Sequence, residues 1–268
     1  MTAPATVTQL SVYPVKSCRG TAVGAATLDR WGLQQDRNWM VVDAEGRFIS
    51  QRTQPRLALV EPALGRELMT LRAPDMPALE LPASGRAGVE RTVGIWEDSC
   101  RALDQGDAAA EWFSRYLGQP ARLVRIGAGF SRAVSEARYP AGADVSFADA
   151  FPVLLLSVAS VGALNARLAQ PVPMNRFRPN LVVDGCPEFA EDGWQHLRIG
   201  GVHFQVVSGC KRCVTTTVDQ ATGISGTEPL TTLATFRRDT DGSVIFGRNV
   251  VHQGVGTLRV GDAVEVLA

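Results

Sequence analysis

Residues 7–14 alternate apolar and polar side chains, the period of a half-buried strand, and Pro14 stops the run. Residues 38–43 and 47–50 flank Ala44-Glu45-Gly46 and read as a hairpin with glycine in its turn. Segments 57–60, 67–71 and 78–81 are further short strand candidates. Pro and Gly separate these runs about every ten residues, the spacing of a sheet-rich, barrel-like fold. The period changes at Asp107, which serves as a helix N-cap. Ala109, Trp112, Phe113 and Tyr116 then fall on one helical face, and Gly118 and Pro120 close the helix. That aromatic stripe reads as core, and 121–126 returns to strand.

Residues 127–144 are polar, contain Gly and Arg, and have no period, so the chain is expected to divide there into domains 1–127 and 128–268. Residues 151–168 read as a strand end followed by a helix capped by Ser157. Strands are expected at 180–183, 203–207, 214–218 and 244–251. A closing pair, 257–260 and 263–267, is expected around Gly261-Asp262. Thr227-Glu228-Pro229-Leu230 opens a short helix with proline in its first turn. The fold class expected is mostly β with some α (α+β), the first half being a β-barrel-like domain.

Charge narrows the partners. Lys+Arg and Asp+Glu balance at 27 each, so no basic excess points to a nucleic acid polymer or an anionic membrane. No apolar run is long enough for a membrane helix. The first six residues show no basic-then-apolar leader, so a cytoplasmic protein is expected. An odd cysteine count of 5 reads as reduced thiols in such a compartment.

Of the 27 basic residues only Lys16 and Lys211 are lysines, and each lies within two positions of a cysteine. Lys211 sits inside Cys210-Lys211-Arg212-Cys213. A zinc site would need a second ligand pair, which His196, His203 and His252 do not form. A c-type haem would need histidine where Val214 stands. A thioredoxin-like pair opens a helix, whereas 214–218 is β-branched and reads as a strand, which puts the motif on a loop entering it. Two partly buried structural thiols remain one reading. The flanking cations favour a thiolate, so a metal-ligating or a nucleophilic cysteine are others.

Four stretches set cations or amides beside Pro, Gly or Cys at strand ends: residues 13–18, 35–38, 175–180 and 209–213. Arg and Lys bind phosphate, and Asn bonds heterocycle edges. Brought together, they suit an anionic heteroaromatic ligand. Glycine-rich phosphate loops and a legible Ser-His-Asp arrangement are both missing from the sequence.

At these stretches the chain resembles the MOSC family (molybdenum cofactor sulfurase C-terminal domain). Within it, the nearest likeness is to the amidoxime-reducing components and their bacterial relatives. Tyr13-Pro-Val-Lys-Ser-Cys-Arg-Gly20, Asp36-Arg-Asn-Trp39, Phe177-Arg-Pro-Asn180 and the run from Gly209 to Asp219 carry the likeness, with Phe246-Gly247 and Gly261-Asp262 beyond them. The resemblance implies an N-terminal β-barrel domain followed by a MOSC β-barrel domain, and a bound molybdenum cofactor (molybdopterin) with Cys213 as its metal ligand and catalytic centre. It further implies cofactor contacts from Lys16, Ser17, Arg37, Arg178, Asn180, Lys211, Arg212 and Asn249. The implied reaction is reduction of small N-hydroxylated substrates, N–OH to N–H, with electrons from a separate flavoprotein, ferredoxin or haem protein. A sulfur carrier holding a persulfide on Cys213 and a non-catalytic cofactor-binding module are the competing readings. Lys211 departs from the relatives' small polar residue, which implies a more cationic cavity. Ala150-Phe151 replaces a Thr-Ser pair. Neither a membrane anchor nor a C-terminal iron–sulfur domain is expected.

Overall fold

The first strand, Thr6–Val12, buries Val7, Leu10 and Val12 in one core, an irregularity in its pairing between Val7 and Gln9 bringing positions three apart to the same side. Its partner comes from the far half of the chain: it pairs antiparallel with Leu181–Asp184 and, on its other edge, with Thr21–Val23. A computed structural model describes residues 5–84, 88–135, 139 and 142–267. Its largest sheet has eight strands in the order Val264–Val266, His196–Ile199, Val202–Lys211, Ile245–Gln253, Val153–Ser157, Leu181–Asp184, Thr6–Val12 and Thr21–Val23. Val153–Ser157 and Leu181–Asp184 run parallel, linked through the helix Val158–Asn165. Ser157 caps that helix, its hydroxyl accepting from the Ser160 amide at 3.0 Å.

A four-stranded sheet orders Trp39–Val42, Arg122–Arg125, Asp98–Asp104 and Glu90–Ile95, and a three-stranded one joins Glu61–Leu64, Leu68–Arg72 and Leu79–Pro82. The helix Asp107–Leu117 lays Trp112, Phe113 and Tyr116 against these sheets in a core with Trp39, Leu57, Met69 and Leu123. A second core, around Leu10, Leu155, Leu181, Leu197, Phe204 and Val250, fills the large sheet. The chain from Tyr13 to Cys18 passes from one core to the other.

Several sequence expectations change. Of residues 57–60, the first three belong to a 3-10 turn, Pro55–Leu59, where proline supplies no donor and presets φ, and Val60 caps it in an extended conformation. The β-branched run after Cys213 is likewise a 3-10 turn, Val214–Thr217. The Thr216 hydroxyl donates to the Cys213 carbonyl at 2.9 Å and that of Thr217 to Val214 at 2.8 Å. Such local side-chain bonds compete with a sheet ladder, and here they win. The C-x-x-C motif therefore leaves a strand rather than entering one. Gly106, not Asp107, is the N-cap of the aromatic helix, and the Asp107 carboxylate accepts from Arg122 instead. The closing pair is no hairpin: Gly256–Arg259 pairs with Ala25–Asp29, and Val264–Val266 with His196–Ile199. Residues 136–138, 140 and 141 of the expected interdomain segment lie outside the described residues; Ala133 and Asp144, at its flanks, bridge antiparallel.

Candidate functional site

Tyr13 is the hub at which three of the polar stretches meet. The guanidiniums of Arg37 and Arg178 each lie 4.4 Å from its ring centroid. Its amide donates to Asp36 at 2.8 Å and its hydroxyl to the Pro179 carbonyl at 3.1 Å. Arg37 pairs with the buried Asp36 and donates to Asn180 Oδ1 at 3.0 Å and to the Arg178 carbonyl at 3.3 Å. Asn180 also donates to the Ser11 carbonyl at 3.1 Å and accepts from the Leu154 amide at 3.2 Å, so its amide clips the sheet to the site. Ser17, Gln35, Arg37 and Arg178 all hold positive φ, between 50° and 69°. Left-handed conformations cost non-glycine residues energy and cluster at functional sites.

Lys16 is buried beneath this hub. Its ammonium donates to the Phe147 carbonyl at 2.8 Å, pairs with Asp149 and lies 5.1 Å from the Phe48 ring centroid. Burial pushes Lys16 down to about 8, against the pull of Asp149. Desolvation works against the Asp149 carboxylate too, yet Lys16, with Arg52 and Arg37, holds it below the usual carboxylate range. Arg132 braces the loop that carries Asp149, donating to the carbonyls of Ser146, Ala148 and Asp149 at 3.0, 2.6 and 3.1 Å.

Asp149 leads to the thiol. Arg52 lies 3.6 Å from the Asp149 carboxylate and donates through Nη2 to Cys213 Sγ at 3.2 Å. The Cys213 thiol, half-buried, also reaches the Thr215 hydroxyl at 3.4 Å. Arg176 fixes the turn behind it, donating to the carbonyls of Thr216, Thr217 and Glu228 at 2.8, 2.9 and 2.9 Å. Arg212 points inward, donating to Phe246 at 2.7 Å and to Phe177 at 2.9 Å. Gly247, at φ +76°, makes room: a Cβ there would stand 2.9 Å from the Leu155 carbonyl oxygen and 3.3 Å from Arg212 Nη2.

Lys16, Arg37, Arg178, Arg212 and Cys213 thus converge, with Asn180 locking them and Ser17 in the same turn as Lys16. Asn249 stands nearby, donating to Ser208 Oγ at 3.2 Å and the Gly209 carbonyl at 3.3 Å. Lys211 does not join them: it ends its strand past an irregularity in the pairing at Gly209, and its exposed ammonium pairs with Asp241 at the surface. The cavity gains no charge from it. Phe151 packs with Tyr139, Val145 and Val251 in a small apolar cluster. Burial pushes the thiols of Cys18, to about 12, and Cys210 upward.

Arg52, Arg132 and the carboxylate of Asp149 were not singled out by sequence. Arg52 carried a usable signal, because Gln51-Arg52-Thr53-Gln54-Pro55 repeats the pattern of cation and amide beside proline.

A molybdenum cofactor suits these residues. Among the described residues, the buried Nη2 atoms of Arg178 and Arg212 have no hydrogen-bond partner. Buried guanidinium donors left open are costly unless an anion completes them. Among the described residues no group of three or more His, Cys, Asp or Glu side chains is placed to hold a metal ion. A single soft sulfur donor beside cationic forks suits a metal that arrives with ligands and a phosphate of its own.

Residues 4–120 match the model of the MOSC N-terminal beta barrel domain and residues 142–265 that of the MOSC domain. The chain is 37% identical over 279 residues to mitochondrial amidoxime reducing component 2 of Bos taurus, an alignment covering 97% of this chain and 82% of the bovine one. It is 37% identical over 272 residues to mitochondrial amidoxime-reducing component 1 of Danio rerio, covering 96% and 83%. With the Homo sapiens component 1 it shares 36% over 283 residues, covering 98% and 83%. With both domain models matched in order and this identity sustained over nearly its whole length, the chain belongs to the MOSC family, alongside the mitochondrial amidoxime-reducing components.

Proposed function

We propose that this protein is a molybdenum-cofactor-dependent reductase of N-hydroxylated compounds, drawing electrons from a separate redox protein. The observation that carries the reading is the Cys213 sulfur held under Arg52, in reach of a cationic cradle whose Arg178 and Arg212 donors stand open. Bound there, the cofactor would supply the redox chemistry by which N–OH, two electrons and two protons become N–H and water.

The residues of this chain supply position and field. Cys213 provides one soft ligand, and Arg52 and Thr215 fix where its sulfur points. Arg178 and Arg212 offer open guanidinium donors to the phosphate. Arg37, its donors engaged by Asp36, Asn180 and the Arg178 carbonyl, adds positive field and holds the cradle together, and Lys16 contributes a compact positive charge. Asp149 partly neutralises Lys16 and Arg52, which keeps two close cations from repelling each other. All five cysteines are free thiols, which suits a reducing compartment and supports a cytoplasmic location. Among the described residues no helix is long and apolar enough to cross a membrane. The electron donor in this reading is a flavoprotein, ferredoxin or haem protein.

Two cysteine variants test it. Cys213→Ser is expected to abolish reduction of a model amidoxime by the cofactor-loaded protein, while Cys210→Ala keeps most of it. Equal loss in both would indicate a redox dithiol instead.

A further inference from the structure

Trp96 sits at the tip of the hairpin formed by Glu90–Ile95 and Asp98–Asp104. Two features set it apart. Its φ is +53°, a left-handed conformation suited to Gly or Asn in a two-residue turn and strained for a bulky side chain. It is also 48% exposed, and the exposed large apolar side chains of the described residues include no other aromatic. The chain thus accepts strain in order to hold an open indole.

What the indole touches explains where it acts. The Arg52 guanidinium lies 4.4 Å from its ring centroid, and the same guanidinium contacts Cys213 Sγ at 3.2 Å. Phe48 meets it edge-on, with centroids 4.9 Å apart, and Phe48 in turn lies beneath Lys16. Arg52 therefore covers the part of the ring that leads toward the sulfur, and the rest of the half-exposed indole stays open beside the site at which the proposed reaction is centred. Phe48 braces the ring through that edge-on contact, and Val214, 52% exposed, adds apolar surface next to the thiol.

We propose that Trp96 is a specificity-determining residue, a platform on which flat, conjugated N-hydroxylated substrates stack with their N–OH turned toward Cys213. Aryl amidoximes and N-hydroxylated heteroaromatic bases present such a face, and small aliphatic amidoximes do not. The assignment rests on the reading of the site as an N-hydroxyl reductase. Ring stacking on an open indole adds binding that a methyl-sized group cannot collect.

The test compares benzamidoxime with acetamidoxime in cofactor-loaded wild type, Trp96→Phe, Trp96→Ala and Trp96→Gly. Truncation to Ala or Gly is expected to raise KM for benzamidoxime about tenfold more than KM for acetamidoxime, beyond any change that the two substrates share; Phe retains most of the discrimination. Trp96→Gly also relieves the strained φ, which offsets the loss of the Arg52 and Phe48 ring contacts, so its melting temperature should stay close to that of wild type, which guards against loss of fold as the explanation. Equal effects on both substrates, or none on either, overturn the proposal. A second readout needs no turnover: benzamidine, the reduced product, should quench wild-type tryptophan fluorescence and fail to do so in Trp96→Phe. If wild type reduces neither substrate, the reductase reading fails while the quench still decides the platform. Identical quenching in both proteins removes Trp96 from the site.

Discussion

Lys16 holds an ammonium in the core at a cost, and that cost has a pH signature. Its folded value of about 8 lies below its ordinary 10.5. Below pH 8 both folded and unfolded chains carry the proton, and the penalty is fully present. Between 8 and 10.5 only the unfolded chain keeps it, so stability rises with pH across that window. A shift from 10.5 to about 8 corresponds to roughly 3 kcal/mol. Urea denaturation of unloaded protein should show wild type gaining stability relative to Lys16→Met from pH 8 to 10.5, with other titrating groups cancelling in the difference. A pH-independent difference would contradict a protonated Lys16 in the core. The same variant is expected to lose affinity for the anionic cofactor. The lysine is thus a place where the fold gives up stability for a charge that a ligand can use.

The element that presents the thiol is the turn Val214–Thr217, and its stability comes from Arg176 rather than from a ladder. Three carbonyls, those of Thr216, Thr217 and Glu228, accept from that one buried fork. Arg176→Met strands them, at a cost of about 3 kcal/mol. Arg176→Lys recovers only part, because an ammonium cannot reproduce the fork. Urea midpoints report both, and unchanged midpoints would show that the turn needs no brace. This element also marks where sequence reading stops. Val-Thr-Thr-Thr has strand propensity, and only its hydroxyl bonds to Cys213 and Val214 reveal a turn. Elements with a long apolar period were legible: the helix Asp107–Leu117 carries its aromatic face at 112, 113 and 116 as read, and Ser157 caps as expected. The hairpin Glu90–Asp104 was not, since Glu90, Arg91 and Thr92 are all exposed and break the alternation.

Across the whole molecule, the site exists because the chain returns on itself. Thr6–Val12 pairs with Leu181–Asp184, so Tyr13 and Lys16 leave the large sheet beside Arg178 and Asn180 although more than 160 residues separate them in sequence. Arg52 then reaches Cys213 across 161 positions. The four polar stretches were visible one by one, because each sets a cation or amide against Pro, Gly or Cys. Their interlocking was not, since strand order is a long-range property that local pattern does not encode. Arg52 and Trp96 escaped for the same reason: each earns its role from a partner distant in sequence. The family resemblance supplied the grouping that local chemistry could not. The most direct measurement of the central claim is molybdenum content by elemental analysis, on wild type and Cys213→Ser made in a host that supplies the cofactor. The account predicts near-stoichiometric molybdenum in wild type, retained through purification and lost or loosely held in the variant. Wild type free of molybdenum but carrying labile sulfur on Cys213 would contradict it and mark a sulfur carrier.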